Sequence, residues 1–424
     1  MWSFYPPAVR ALTCFADSKN VAAYSRMLCL QSGRMPPMHK QNASPMTFGI
    51  IAAVLFLVGC GIVLVYSSSF VLAQAKYGGS DFFLARQAIR AAIAFLCFLV
   101  FMKIDYHVWG KISGLVYIAA IGLLVAVLVL PQAEAIKGAR RWIDLGFARF
   151  QVTELARIAV VLVIANKYHE FGDELHGSRR LLEQIVKMVL ITGLIMLEPD
   201  FSTAFMIAAL GLAMLFVAGV KLWYFGGLLV GLAAFAGAAI ALAPYRFGRW
   251  LAFLQVGKFK DSIGYQAHQS LIGLGSGGLL GRGLGQGEQK YFYLPEPHTD
   301  FAFAILGEEV GFIGLVAILL VFAFVIFRGF RISRFAPDRL GQLMAFGFTL
   351  ALALYVGVHV CVNVVLVPTT GVPLPFLSYG GMSLIFTMST IGMLLNIANQ
   401  AGAKQPETKH GLKASRKVRF THAG

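Results

Sequence analysis

FAFAILGEEVGFIGLVAILLVFAFVIF, residues 301–327, decides the fold. Its only ionisable side chains are Glu308 and Glu309. At 1.5 Å per residue a helix of this length spans about 40 Å, more than the ~30 Å hydrocarbon layer of a bilayer. Apolar on every face, it cannot be the surface helix of a soluble domain. Nine further apolar stretches lie on either side of it: 47–67, 87–104, 112–131, 154–168, 182–198, 201–220, 223–243, 341–366 and 376–397. Together they predict an all-α polytopic membrane protein of about ten transmembrane helices. A large extracytoplasmic loop, about 244–299, separates helices 7 and 8.

Composition agrees. Of the 424 residues 58% are hydrophobic and 13% charged, against roughly 25% charged in a soluble domain, and the mean hydropathy is +0.72. Disorder is ruled out and a soluble enzyme is argued against. An even number of spans puts both termini on one side. Lys404, Lys409, Lys413, Arg416, Lys417 and Arg419 in the tail mark that side as cytoplasmic, and the Arg328, Arg331, Arg334 and Arg339 loop falls on the same side. Residues 1–45 read as a cytoplasmic extension, without the apolar core and cleavage site of a secretory signal; Met35 and Met38 offer later starts. Residues 46–399 form the membrane domain and 400–424 a basic tail.

The net charge of +16 and pI near 9.7 would ordinarily suggest nucleic acid. Orientation in a membrane accounts for most of it, so no nucleic-acid partner is expected. The remaining cations cluster in two outer loops. Lys137, Arg140, Arg141 and Arg149 lie in one, and Arg246, Arg249, Lys258, Lys260, Arg282 and Lys290 in the other. They read either as solvated surface or as a site for an anionic ligand. Cys60, Cys97 and Cys361 fall within spans, Cys14 and Cys29 on the reduced side, and no CxxC occurs. Neither disulfides nor a zinc site is indicated.

Polar chemistry concentrates just before the deciding span. Tyr291-Phe-Tyr-Leu-Pro-Glu-Pro-His-Thr-Asp300 leads into it, and Asp300 sits where a carboxylate caps a helix N-terminus. With Glu296, His298 and Thr299 beside it, the same carboxylate could serve as general base toward a sugar hydroxyl. Local chemistry leaves cap and catalyst even. Eight residues on, Glu308 returns toward the face of Asp300 while Glu309 points away. Glu308 is then the cavity candidate, or the partner of a buried arginine. Glu154 and Arg157, three apart, form either a neutralising pair or the wall of a cavity. GLGSGGLLGRGLGQG at 273–287 contains GxGxxG without the βαβ context a dinucleotide site requires. Its glycines let backbone bend and approach a ligand or the membrane surface. The Pro- and Gly-rich segment 368–381 enters the tenth span and should line the site, because irregular backbone at membrane depth must be buried in protein or face a cavity.

These motifs resemble one family. GARRWIDLG (138–146), QVTELAR (151–157), EPDFSTA (198–204), GYQAHQSLIGLGSGGLLGRGLG (264–285), YLPEPHTDFAFAILGEEVGFIG (293–314) and PTTGVPLPFLSYGGMS (368–383) are similar, in order, to motifs of the SEDS (shape, elongation, division, sporulation) proteins of FtsW and RodA type. The resemblance covers about residues 45–400. It implies a peptidoglycan glycosyltransferase that polymerises lipid II on an undecaprenyl-diphosphate-linked glycan. Such an enzyme sits in the bacterial inner membrane at the division septum and works with a class B penicillin-binding transpeptidase and other division proteins. The elongation polymerase and a lipid II flippase are the alternatives. It makes Asp300 the essential acid and the general base, shifting the even odds toward catalysis. Candidate substrate contacts are Arg140, Arg141, Trp142, Gln151, Glu154, Arg157, Asp200, Arg246, Arg249, Gln269, Ser270, Arg282, Lys290, Glu296, His298, Thr299, Glu308, Thr369 and Ser378. Among them Arg140, Arg141, Arg246, Arg249 and Lys290 are the expected diphosphate ligands. A divalent cation, Mg or Mn, could share that load, although no ligand cluster in the sequence demonstrates one. The chain departs from the family pattern at Val152 and Arg157, where proline and lysine are usual, and arginine keeps the charge but not the geometry. It also departs at Pro199–Thr203, which lacks a glycine, and before Gly264, where an Asp-Pro is missing.

Overall fold

The computed structural model describes residues 45–129, 134–136, 139–144, 149–172, 178–220, 226–227, 231, 237, 244–255, 258–259, 261–262 and 264–403. The predicted cytoplasmic extension and tail lie almost wholly outside these residues, as does nearly all of the seventh predicted span.

The first span is longer than its hydropathy suggests, since α1 runs Pro45–Tyr77. Hydropathy alone ends the span at the polar run Ser67–Ser69. In the structure Ser68 Oγ donates to the Leu64 carbonyl at 2.7 Å and Ser69 Oγ to that of Val65 at 2.6 Å. Hydroxyls satisfied by their own helix do not end it. Then come α2 (Phe82–Lys103), α3 (Tyr106–Lys111) and α4 (Ser113–Val129). A small antiparallel sheet interrupts the helices: β1 (Glu134–Ile136), β2 (Ala139–Asp144) and β3 (Arg149–Gln151). The fold is helical as expected, and this sheet is its one addition among the described residues. β2 and β3 pair Ile143 with Phe150, and both side chains pack on the core.

The predicted fourth span becomes α5 (Val152–Phe171), the central helix. Residues 152–154 and 156–165 are all buried, Glu154 and Arg157 included. A helix apolar on all sides belongs in the interior, and here α4, α6, α7, α11 and α12 surround it. α6 (Ser178–Leu197) and α7 (Phe201–Val217) follow. The long loop carries α8 (Pro244–Leu254) and α9 (Tyr265–Ser276), then α10 (Ala302–Arg334), α11 (Arg339–Asn363) and α12 (Gly381–Ala403) complete the bundle. Among the described residues α1, α2, α10, α11 and α12 are long and apolar enough to cross a membrane, and α4 and α7 are shorter apolar helices. Leu55, Phe56, Ile89, Leu96, Leu115 and Ile118 on the outer helices are exposed, the surface a lipid solvent favours.

α10 is broken at Gly311, whose φ of 69° and ψ of −174° are open to glycine alone. The glycine-rich segment fills the break. Arg282 and Gly283 N–H donate to the Glu308 and Glu309 carbonyls, both at 3.0 Å. Phe312 and Ile313 N–H donate to the Gly278 and Leu279 carbonyls at 2.9 and 3.1 Å. The run that looked like a nucleotide motif thus supplies the main-chain partners that the interrupted helix lacks.

At the far end of the bundle from residue 300, His107 lies between two carboxylates, with Nδ1 2.7 Å from Asp105 and Nε2 2.8 Å from Asp338. Asp338 also caps α11 through Gly341 N–H, and Gln400 of α12 donates to Asp105. Burial raises the Asp338 carboxyl, but hydrogen bonds from Gly341 and His107 outweigh it and hold the pKa below the ordinary value.

Candidate active site

The segment His298-Thr299-Asp300 has no helical partners for its carbonyls, so other elements must supply them. Three successive bonds do so. Tyr379 N–H donates to the His298 carbonyl at 2.7 Å, Ser378 Oγ to that of Thr299 at 2.7 Å, and Asn363 Nδ2 to that of Asp300 at 3.3 Å. The main chain is clamped residue by residue, which fixes where the three side chains start. Asn363 is fully buried. Its Oδ1 accepts from Ala304 N–H at 3.1 Å, and its own carbonyl accepts from Ser270 Oγ at 2.8 Å. It therefore ties α9, α10 and α11 together at the acid. The N-cap residue of α10 is Phe301, and Ala304 N–H is met by the Phe301 carbonyl and Asn363 Oδ1.

Residues 368–380 form a strap over this point. A Cβ placed on Gly371, which has φ +74°, would lie 3.5 Å from Asp300 Oδ2, so the strap passes against the carboxylate. Arg249 of α8 donates to the Thr369 carbonyl at 3.1 Å, bringing one basic-loop cation to the same place. Glu296 and Thr299 meet through Oε2 and Oγ1 at 3.3 Å. The His298 ring joins Phe83 and Tyr379 in a three-ring cluster, with centroids 5.0 and 5.5 Å from those two, which are 5.2 Å apart. The structure thus gathers Asp300, Glu296, His298, Thr299, Arg249, Ser270, Thr369 and Ser378. Gln269 sits half-buried on α9 beside Ser270.

A second group gathers around α5. Arg157 pairs with Glu154 at 2.6 Å, both buried, and its guanidinium lies 4.3 Å from the Tyr355 ring centroid. Arg157 and Pro375 of the strap line one cavity of ≈10 Å³, room for about one water. Arg141 donates to the Pro199 carbonyl at 3.2 Å and lies 3.5 Å from Asp200, which caps α7 through Thr203. Trp142 and Gln151 face each other across β2 and β3. Tyr355 and Asn363, two turns apart on α11, separate this group from Asp300 by ~12 Å along the helix.

Other expectations change. Lys290, expected on a diphosphate, is instead buried in the core: Nζ lies 2.9 Å from Glu309 Oε1, which also accepts from Ser67 Oγ at 2.5 Å. Lysine buried against a carboxylate is a structural ion pair, and a diphosphate at the surface does not meet it. Glu308, the cavity candidate, accepts Glu288 and Gln289 N–H at 2.8 and 3.1 Å. Arg282 pairs with Glu288 at 2.6 Å and comes within 3.9 Å of Glu308, so both anchor the loop before Asp300. The side chains of Arg140 and Arg246 lie outside the described residues. Among the described residues no three His, Cys, Asp or Glu side chains converge on a metal position.

Two cations went unnoticed in the sequence. Arg90 lies 4.7 Å from the Tyr379 ring centroid and packs against Gly381. Arg86, one turn earlier, lies 4.1 Å from that of Phe82. Ring faces hold both, and among the described residues neither forms an ion pair. Asn363 and His359 were missed as well, although polar side chains inside an apolar span are the signal that finds them.

Comparison with known proteins decides the lineage. The family model of the FtsW/RodA/SpoVE cell cycle proteins matches residues 48–403. This chain belongs to the FtsW/RodA family. It is 38% identical over 357 residues to a probable peptidoglycan glycosyltransferase FtsW of Geobacter sp. (strain M18), covering 83% of this chain and 96% of that one. It is also 38% identical over 351 residues to stage V sporulation protein E of Bacillus subtilis (strain 168), covering 82% and 96%. Among solved structures, a chain from a peptidoglycan synthase complex that coordinates polymerization and crosslinking superposes with a TM-score of 0.68 at 26% identity, over 84% of this chain and 98% of that one. The rod shape determining protein RodA of Thermus thermophilus superposes with a TM-score of 0.61 at 25% identity, over 85% and 98%. Asp300 and its clamp lie inside the region matched to the FtsW/RodA model.

Proposed function

We propose that this FtsW/RodA-family chain is the division polymerase of peptidoglycan, joining lipid II into glycan strands with Asp300 as general base. The observation that carries the reading is the three-point clamp, three hydrogen bonds on the main chain of His298–Asp300, with the carboxylate against the strap at Gly371. In the reaction Asp300 takes the proton of the acceptor's GlcNAc 4-hydroxyl. That oxygen bonds to the anomeric carbon of the donor's MurNAc, and the bond to the undecaprenyl diphosphate breaks, its electron pair leaving with the phosphate oxygen. One displacement inverts the anomeric centre. The leaving diphosphate needs fixed positive charge as it departs. Arg249, which donates to the Thr369 carbonyl, and Arg90, beside Tyr379 and Gly381, are described cations at the strap and its flank, with Arg140 and Arg246 completing the set from the loops.

Both termini are cytoplasmic, placing Asp300 at the outer face of the inner membrane, at the septum. A class B penicillin-binding transpeptidase is the partner, with other division proteins around it. The test uses this chain with that transpeptidase, reconstituted in liposomes carrying labelled lipid II. Polymer sensitive to a glycan hydrolase is expected. Labelled lipid II that crosses the bilayer with no polymer formed would overturn the reading in favour of transport.

A further inference from the structure

Pro368, Pro373 and Pro375 have no N–H, so the strap can join neither a helix nor a sheet. The Leu374 carbonyl is met within the strap by Leu377 and Ser378 N–H, and a buried carbonyl its own N–H groups do not reach needs a partner from outside. At Val372 that partner is His359 of α11, which is 1% exposed and whose Nδ1 lies 2.7 Å from the Val372 carbonyl. A carbonyl only accepts, so Nδ1 carries the proton and donates. Nε2 has no protein partner among the described residues, so the ring's one protein hydrogen bond there goes to the strap. Val372 follows Gly371, the residue that backs onto the Asp300 carboxylate. One turn beyond His359, Asn363 holds the Asp300 carbonyl and donates to the His359 carbonyl at 2.9 Å. A single face of α11 therefore reaches the acid from two sides, through its main chain and through the strap beside its side chain.

We propose that His359 is a positioning residue for Asp300, fixing the strap through Val372 so that Gly371 walls one side of the carboxylate. The proposal rests on Asp300 being the base. Without the His359 bond the strap can withdraw and the carboxylate gains rotamers that miss the acceptor hydroxyl. Misplacement of a reacting group by 1 Å costs about 100-fold in rate, so a partial loss of restraint should lower kcat by roughly 10-fold and leave KM nearly as it was.

The experiment measures lipid II polymerisation by the full chain with its transpeptidase partner, for wild type, His359→Leu, His359→Gln, Gly371→Ala and Asp300→Asn. His359→Leu is expected to lose about 10-fold in kcat with KM within about twofold. His359→Gln, which retains an N–H donor, should recover most of that loss. Equal losses in the Leu and Gln variants, a change in KM alone, or unaltered kcat in His359→Leu overturn the proposal. If His359→Leu does not fold, Gly371→Ala reads the same wall from the other side. Its Cβ falls 3.5 Å from Oδ2, and unaltered kcat there is equally fatal. Activity retained in Asp300→Asn removes the base itself. An inactive Asp300→Asn beside a fully active His359→Leu removes this proposal alone.

Discussion

Gly311→Ala should unfasten the break in α10. A Cβ at that position would stand 2.2 Å from Gly281 N, 2.6 Å from the Leu280 carbonyl carbon and 2.7 Å from the Leu279 oxygen. All three are backbone atoms, so no side chain can swing aside. Two costs follow. Forcing a non-glycine residue into this backbone region costs about 1–3 kcal/mol. Moving residues 279–281 away also disrupts the bond from Ile313 N–H to the Leu279 carbonyl, one of the four across the break, at about 1–3 kcal/mol for a buried group left unmet. The sum, roughly 2–6 kcal/mol, is a large share of the whole stability of an ordinary fold. Gly275→Ala is the control on the same glycine-rich run, since a Cβ there meets nothing within 4 Å. Thermal denaturation of detergent-solubilised protein, scored by monodispersity, separates the two. Gly311→Ala is expected to fail to accumulate or to melt far below wild type, with Gly275→Ala unchanged or slightly more stable. Equal melting of the two variants would refute the account of the break.

Further consequences concern charge. Lys290→Met strands Glu309 in the core and should destabilise by about 3–5 kcal/mol. Adding Glu309→Leu should restore much of it, and a raised KM with normal melting would instead return Lys290 to the diphosphate. Arg90→Gln removes a cation that lies over the Tyr379 face and, among the described residues, forms no ion pair, so KM for lipid II should rise several-fold with melting unaltered; an unchanged KM would take Arg90 out of the site. The Asp338 carboxyl titrates below its ordinary value in the folded protein. Its stabilisation is therefore complete above the unfolded carboxyl's pKa of about 4 and is lost as the pH falls through the folded value. Melting temperature should drop more steeply toward pH 3 for wild type than for Asp338→Asn, and parallel curves would contradict this.

What could be read from the sequence was whatever rests on a continuous run of residues. The α10 run shows itself as a membrane helix, and the His-Thr-Asp segment announces the acid, because both are local. Pairings between distant residues were not legible. Lys290 lies in a loop rich in cations, and only folding takes it into the core against Glu309 and Ser67. The 273–287 glycines showed that backbone must come close to something, without showing that the something is a broken helix. His359 and Asn363 were hidden in an apolar span, where each stands out only once the strap and the acid are seen to meet them. The polar run Ser67–Ser69 ended the first span on a hydropathy scale, although back-bonding hydroxyls carry the helix through it.

The most direct test of the central claim is the rate of glycan formation by Asp300→Asn, purified with its transpeptidase partner and compared with wild type at equal folded concentration. Asparagine preserves the size of the side chain and leaves the Tyr379, Ser378 and Asn363 clamp intact, since those bonds go to main-chain carbonyls. It removes the negative charge, and with it the ability to take a proton. A folded, partner-bound protein that makes no detectable polymer is expected. Polymer at the wild-type rate would contradict the claim.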